Sequence, residues 1–287
     1  MSNGKISKAV LITGCSTGIG RATALRLAKA GWTVYATARR AETLADLARE
    51  GCKTLALDVD SEDSMKAAVD EVERAHGAVG VLINNAGYSQ SGAFETVPMQ
   101  DVRAQFETNV FGLIRLTQLV LPGMRRQGWG RIINLSSMGG KLTLPGFGYY
   151  HATKYAVEAL SDALRFEVKG FGIRVVIIEP GLIRTDFSRK VVDGIPQAPA
   201  DSGPYGPFNA AVAKTGKEAY EKGLFAWLGG GPETVAKTIE RALNSANPST
   251  RYTVTASATV AMTARRILSD RLWDAYAGTH FSARPGN

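Results

Sequence analysis

Cysteine and histidine are scarce in this chain, with 2 of the first and 3 of the second among 287 residues. Cys15 and Cys52 cannot build a disulfide framework, and neither stands at metal-ligand spacing from His76, His151 or His280. No metal site is expected, and a reducing, cytoplasmic setting is. No apolar run approaches the roughly 20 residues that cross a bilayer, and Met1 to Lys8 lacks the apolar stretch of a signal peptide. The expectation is a soluble protein without an integral membrane segment. Blocks of like charge are missing too: the formal net charge is +8, but the basic residues are scattered, with pairs such as Arg39-Arg40, Arg125-Arg126 and Arg265-Arg266. With no nucleic-acid motif beside them, they argue against a nucleic-acid partner.

What is present is a rhythm. Short apolar runs at Ala9–Ile12, Thr33–Ala36, Thr54–Leu57, Val81–Ile83, Arg131–Leu135 and Arg174–Ile178 alternate with helix-periodic segments over Ile19–Ala30, Ser61–His76, Val102–Arg125 and Tyr150–Val168. Strands apolar on both faces and separated by helices predict a parallel sheet covered on both sides. The fold class is therefore α/β, a doubly wound, Rossmann-like sheet in a single domain, with ligands beyond the carboxyl ends of the strands. After Pro180 the rhythm breaks. Asp186–Gly231 carries Pro196, Pro199, Pro204 and Pro207 and is too long for an ordinary connection, which predicts an extended substrate loop or lid. A helix over Thr234–Leu243, a strand over Tyr252–Val254 and a helical stripe of Val260, Ala264, Leu268, Leu272 and Tyr276, which either packs onto the domain, joins subunits or touches a membrane surface, complete the reading.

Beyond the first strand stands Thr13-Gly14-Cys15-Ser16-Thr17-Gly18-Ile19-Gly20, followed by a helix. Glycines there let backbone amides and a helix N-terminus approach a pyrophosphate, although the Gly-x3-Gly-x-Gly spacing alone also reads as a plain turn. The second strand ends in Ala36-Thr37-Ala38-Arg39-Arg40, with Ala38 where an acid would grip the ribose of NAD. Without that carboxylate a 2′-phosphate is acceptable, and Arg39, with Arg40 beside it, offers charge-assisted hydrogen bonds. NADP(H) is expected over NAD(H). Tyr150 and Lys154 lie four apart on one helical face, where the ammonium is expected to lower the phenol's pKa from about 10. Ser137, preferred over Ser136, follows an apolar strand and can bond a substrate oxygen as charge develops on it. His151 is expected to point off the face of Tyr150, leaving neither serine a nucleophilic triad.

Thr13 to Gly20, Asn84-Asn85-Ala86-Gly87, Asn109, Ser137, Tyr150 with Lys154, and Pro180-Gly181 occur in an order that resembles the short-chain dehydrogenase/reductase family. The resemblance spans about Lys8 to Thr185. It implies hydride transfer between NADP(H) and a carbonyl or alcohol, with Asn109, Ser137, Tyr150 and Lys154 catalytic. In that scheme Ser137 polarises the carbonyl, Tyr150 is the acid or base, Lys154 restores its proton, and Asn109 holds a relay water. For the cofactor it implies Gly14, Ser16, Thr17, Gly18, Ile19 and Gly20 in the glycine turn, Arg39 and Arg40 near the ribose, and Asp58 and Val59 at the adenine. Asn85, Ala86 and Gly87 fall against the adenosine side, Tyr150 and Lys154 at the reacting end, and Pro180, Gly181, Ile183 and Thr185 behind the nicotinamide. Read alone, Asp58 serves equally as a helix cap near Ser61.

Phe187, Tyr205, Phe208, Tyr220, Phe225, Trp227 and Leu228 give the long loop enough apolar surface to line a pocket for a lipophilic small molecule, or to pack the loop itself. Some runs resemble family members acting on steroids, retinoids or other lipophilic alcohols. The family resemblance also implies a homodimer or homotetramer through the helices beginning near Val102 and Tyr150. The rival reading is a catalytically silent dinucleotide-sensing or scaffold protein. Such a protein is expected to have lost one of the four catalytic residues, and all four are present.

Overall fold

The computed structural model describes residues 6–185 and 203–281. Seven strands, β1 (Val10–Ile12), β2 (Val34–Ala38), β3 (Lys53–Ala56), β4 (Val81–Asn84), β5 (Gly130–Leu135), β6 (Ile173–Pro180) and β7 (Arg251–Val254), form one sheet in the order β3-β2-β1-β4-β5-β6-β7. Every neighbouring pair is parallel. Period-two alternation divides each central strand between two cores. Val10, Ile12, Val81, Ile83, Ile133 and Val176 enter one, and Leu11, Leu82, Ile132 and Val175 enter the other.

Helices close both faces. Ala24 and Leu27 of α1 (Gly18–Lys29) join the first core, while Met65, Val69 and Val72 of α3 (Glu62–His76) join the second. A 3-10 turn over Ala41–Leu44 and the short α2 (Ala45–Arg49) precede β3; at four and five residues they carry too little periodicity to read. Leu116 and Met124 of α5 (Gly112–Gln127) pack into the second core, and α6 (Gly148–Val168) follows β5. The first core is closed by Val235 and Ile239 of α9 (Pro232–Asn244). No helix among the described residues is long and apolar enough to cross a membrane.

Three departures from the sequence reading have physical causes. The segment read as one helix over Val102–Arg125 is α4 (Met99–Phe106), a π-helical turn over Glu107–Phe111, and then α5. The inserted turn carries Asn109 and ends where Gly112 meets the backbone of Val59; a β-carbon at Gly112 would lie 2.5 Å from the Val59 carbonyl oxygen. The stretch read as a loop to Gly231 holds a 3-10 turn (Gly203–Tyr205), α7 (Gly206–Glu221) and α8 (Gly223–Trp227). Pro204 lies in that opening turn and Pro207 in the first turn of α7, where a missing N–H breaks no helical bond; residues 186–202 lie outside the described residues. The final stripe is broken at Leu268, the extended residue between α10 (Ala256–Ile267) and α11 (Asp270–Phe281). In α11 the buried side chains are Trp273, Ala277 and Phe281, whereas Leu272 is 58% exposed.

The edge strand β7 is tied to α6 by charge. Arg251 lies 2.6 Å from Asp162, 3.0 Å from Glu158 and 3.4 Å from Glu179, and Lys141 reaches Glu158 at 2.9 Å. Glu158 and Glu179 are buried. Removing one member of a buried charge cluster strands the others. Arg251→Met is therefore expected to lower stability by about 3–5 kcal/mol, measured as a drop in the urea midpoint; a change within experimental error would show that the cluster contributes nothing net.

Candidate active site

Strand order reverses between β1 and β4, and beyond their carboxyl ends opens a cleft of about 1330 Å³. The glycine turn forms its first wall. Thr13 Oγ1 accepts the N–H groups of Asn85 (3.0 Å) and Ala86 (2.9 Å), and Asn85 Nδ2 donates to the carbonyls of Thr13 (2.8 Å) and Gly14 (3.1 Å). Gly14 and Gly18 take the left-handed φ values of 71° and 59°. Ser16, Thr17, Gly18 and Ile19 line the cleft, but Gly20 does not. Its missing β-carbon makes room for protein instead, since one would lie 2.4 Å from the Gly14 carbonyl oxygen and 2.5 Å from Asn85 Nδ2. Thr17 at the start of α1 makes no side-chain cap bond, and the first turn holds no acid, so the helix's amide end suits an anion.

Beside this turn, Ala38, Arg39, Asp58 and Val59 line the cleft. Arg40 does not; it sits at the start of the next turn, 3.9 Å from Glu42, so only Arg39 of the pair faces the site. Asp58 Oδ1 accepts the N–H of Asp60 at 3.1 Å, and Ser61, not Asp58, caps α3 by accepting from the Ser64 N–H at 3.3 Å. Asn85, Ala86 and Gly87 form the floor, with Pro180, Gly181, Ile183 and Thr185 opposite. Thr185 approaches Gly18 across the cleft: a β-carbon on that glycine would meet it at 3.4 Å.

Ser137, Tyr150 and Lys154 come together in the same cleft. The Tyr150 side chain hydrogen-bonds that of Ser137. Lys154 Nζ lies 5.8 Å from the Tyr150 ring centroid and donates to the Leu135 carbonyl at 2.8 Å. Burial pushes the Tyr150 phenol up to about 12, with the Ser137 bond opposing. That runs against the expectation of a lowered phenol: desolvation is the larger effect, and the group opposing it is Ser137, not Lys154, whose ammonium is turned to the Leu135 carbonyl. Burial also brings Lys154 down to about 8, against the pull of the Glu158 carboxylate.

Asn109 stands behind the cleft wall rather than in it, 2% exposed. Its Oδ1 accepts the Tyr88 N–H at 3.0 Å, and its Nδ2 donates to the Tyr88 carbonyl at 2.9 Å and to Thr153 Oγ1 at 3.1 Å. Ser136 also borders the cleft and is buried. His151 departs from expectation, because the cleft is wide enough to meet more than one face of the first turn of α6. It shares the cleft with Tyr150, the two ring centroids being 5.7 Å apart. Its only signal in the sequence was adjacency to Tyr150.

The far end of the cleft is apolar, with Leu142, Leu144, Phe147, Trp273 and Phe281 in its wall. Of the aromatic residues singled out above, Tyr220 and Phe225 line it. Tyr205 bonds Glu95, Phe208 packs with Val212 and Phe281, Trp227 is 78% exposed, and Leu228 is outside the wall. Phe187 lies outside the described residues. Trp273, Ala277 and Phe281 were legible as a helical i, i+4, i+8 series, one position out of phase with the stripe chosen. Among the described residues no group of three or more His, Cys, Asp or Glu is placed to hold a metal ion.

A family model described as short chain dehydrogenase matches residues 8–195. Over 273 residues the chain is 37% identical to an uncharacterized oxidoreductase, YbbO, of Escherichia coli strain K12, covering 94% of each. It is 33% identical over 273 residues to an NADPH-dependent 3-dehydrocapnine reductase of Ornithobacterium rhinotracheale, covering 92% of this chain and 94% of the relative. Among solved structures, a short-chain dehydrogenase from Streptomyces avermitilis matches with a TM-score of 0.76 and 36% identity, over 96% of this chain and 95% of that one. The chain belongs to the short-chain dehydrogenase family and is an oxidoreductase.

The buried imidazole gives a pH test. Burial lowers His151 from 6.5 to about 4, so between those values the unfolded chain binds the proton and the folded chain does not. Stability is then full above pH 6.5 and falls as pH drops toward 4, by about 3 kcal/mol from this group. Urea titrations at a series of pH values are expected to show that slope, flattened in His151→Asn; equal slopes in both proteins would refute the assignment.

Proposed function

We propose that the enzyme transfers a hydride between NADP(H) and a lipophilic carbonyl or alcohol, with Tyr150 as its acid or base. The observation that carries this reading is the convergence of Ser137, Tyr150 and Lys154 on a cleft whose other end holds Arg39. The chain's residues fit the dinucleotide: the uncapped start of α1 suits its phosphates, and Ala38 with Arg39 suits a 2′-phosphate. The NADPH dependence of the Ornithobacterium relative supports the same choice. Bound there, the nicotinamide supplies or accepts the hydride.

Ser137 donates to the substrate oxygen and holds it beside the Tyr150 hydroxyl. A phenol held at about 12 is protonated at neutral pH, so in the reductive direction it stands ready to give its proton to the forming alkoxide. Lys154 Nζ, on the same helical face, resupplies that proton and balances the phenolate left behind. Asn109 fixes the Tyr88 backbone and, through Thr153, the turn that carries Tyr150. The apolar wall from Leu142 to Phe281 suits a lipophilic substrate, and residues 203–231 cover it through Tyr220 and Phe225. Exposed Phe111, Tyr155 and Phe166 on the helices of the expected subunit contact support a homo-oligomer, and the two free, buried cysteines suit a reducing cytoplasm.

Two measurements test the reading. Tyr150→Phe is expected to lower kcat by about 10²–10⁴-fold while NADPH fluorescence still reports binding; turnover near the wild-type rate would exclude Tyr150 as the acid. Arg39→Ala is expected to weaken NADPH binding by about 10–100-fold and leave NADH nearly unaffected, measured by calorimetry with both cofactors. Equal losses for the two would place Arg39 away from the 2′-phosphate.

A further inference from the structure

Beside Tyr150 stands a donor that the hydride chemistry does not use. His151 is 6% exposed, projects from the first turn of α6 and lines the cleft. Its Nδ1 accepts the Leu144 N–H at 3.1 Å, so the neutral ring carries its proton on Nε2. With burial holding the ring near a pKa of about 4, that tautomer persists at neutral pH. The bond to Leu144 is the ring's only hydrogen bond among the described residues; its other contacts are the rings of Phe147 and Tyr150. Nε2 therefore faces the cleft with no protein acceptor, and a molecule that fills the cleft and displaces water from this donor leaves it unpaired unless it brings an acceptor of its own.

The position of Nε2 says what would supply it. A β-carbon on Gly139 would lie 3.0 Å from His151 Nε2 and 3.5 Å from Ser137 Oγ, so the two donors flank one small stretch of wall. Leu142, Leu144 and Phe147 continue that wall without a polar side chain. Oxygens on carbons in a 1,3 relation are about 3 Å apart, and each can then meet its own donor at about 2.9 Å.

Resting on the reaction proposed above, we propose that His151 Nε2–H is a substrate-recognition donor. It selects carbonyl compounds that bear a second oxygen acceptor on the carbon β to the reacting carbonyl or its neighbour, such as 3-oxo esters and 3-hydroxy ketones, with the apolar chain running toward Phe281. A simple ketone leaves the donor unpaired and is discriminated against.

The test compares ethyl 3-oxodecanoate with 2-undecanone on the NADPH-loaded enzyme, and the binding of decane-1,3-diol with that of decan-3-ol to the NADP⁺ complex. His151→Asn keeps an acceptor for the Leu144 N–H and draws the donor back from the Nε2 position, whereas His151→Gln keeps a donor near it. The kcat/KM ratio of oxo ester to ketone and the affinity ratio of diol to alcohol are each expected to fall by about 10-fold or more in His151→Asn, and to be largely retained in His151→Gln. Ratios equal in wild type and His151→Asn would overturn the proposal. Should His151→Asn melt well below wild type, the glutamine variant decides: loss of both ratios with a wild-type melting temperature also overturns it. If neither carbonyl is reduced with either cofactor, the proposed reaction fails, and the diol measurement still judges the donor.

Discussion

A sheet buried on both faces can place its chemistry only at its ends. In this molecule the strands run parallel, so their carboxyl ends share one edge, and the alternation of Val10, Leu11 and Ile12 between two cores leaves no room for a functional side chain in the middle. Two asparagines within the sheet are paired: Asn84 Nδ2 donates to Thr117 Oγ1 and Asn134 Oδ1, and Asn134 Nδ2 donates to Ser161. That chain of amides ties β4 and β5 to α5 and α6, the elements around the Ser137–Tyr150–Lys154 group. The site is positioned by what the core must exclude.

Electrostatics at the reacting end follows from the same burial. Desolvation raises the tyrosine to about 12 and lowers the lysine to about 8, which drives apart two proton affinities that lie close together in the free side chains. A proton passing from the lysine to the phenolate therefore moves downhill. Glu158, one turn beyond Lys154 and held by Arg251 and Lys141, limits the descent of the lysine. The charge cluster at β7 and Lys154 thus share one helix, with Glu158 four residues from the lysine.

The sheet was legible because each strand is a short apolar run with turn chemistry behind it, and the cleft residues were legible because they follow those runs. Errors fell where contacts distant in sequence decide the matter. Gly20 looked like a phosphate contact, but its neighbour is the carbonyl of Gly14. Arg40 and Arg39 are identical as letters, and only the turn after β2 separates them. Pro204 and Pro207 read as loop signals, yet proline is also favoured at a helix start. The π-helical turn at Asn109 had no signature, since it depends on how closely Gly112 approaches Val59. The inward face of α11 was offset by one residue because Leu268 breaks the helix that the periodicity assumed.

Arg251 lies 93 residues beyond Glu158 in the chain and on the last strand of the sheet. The helix bearing Tyr150 and Lys154 is therefore not finished when the first six strands have formed: Glu158 meets Lys141 nearby in the chain, but the cation it shares with Asp162 and Glu179 arrives late in synthesis. The glycine turn and the turn bearing Tyr150 do not constitute an excisable half. Any protein built by grafting the first part of this chain onto a different carboxyl-terminal part leaves three acids with Lys141 and without Arg251, and must supply a replacement cation from its own edge strand.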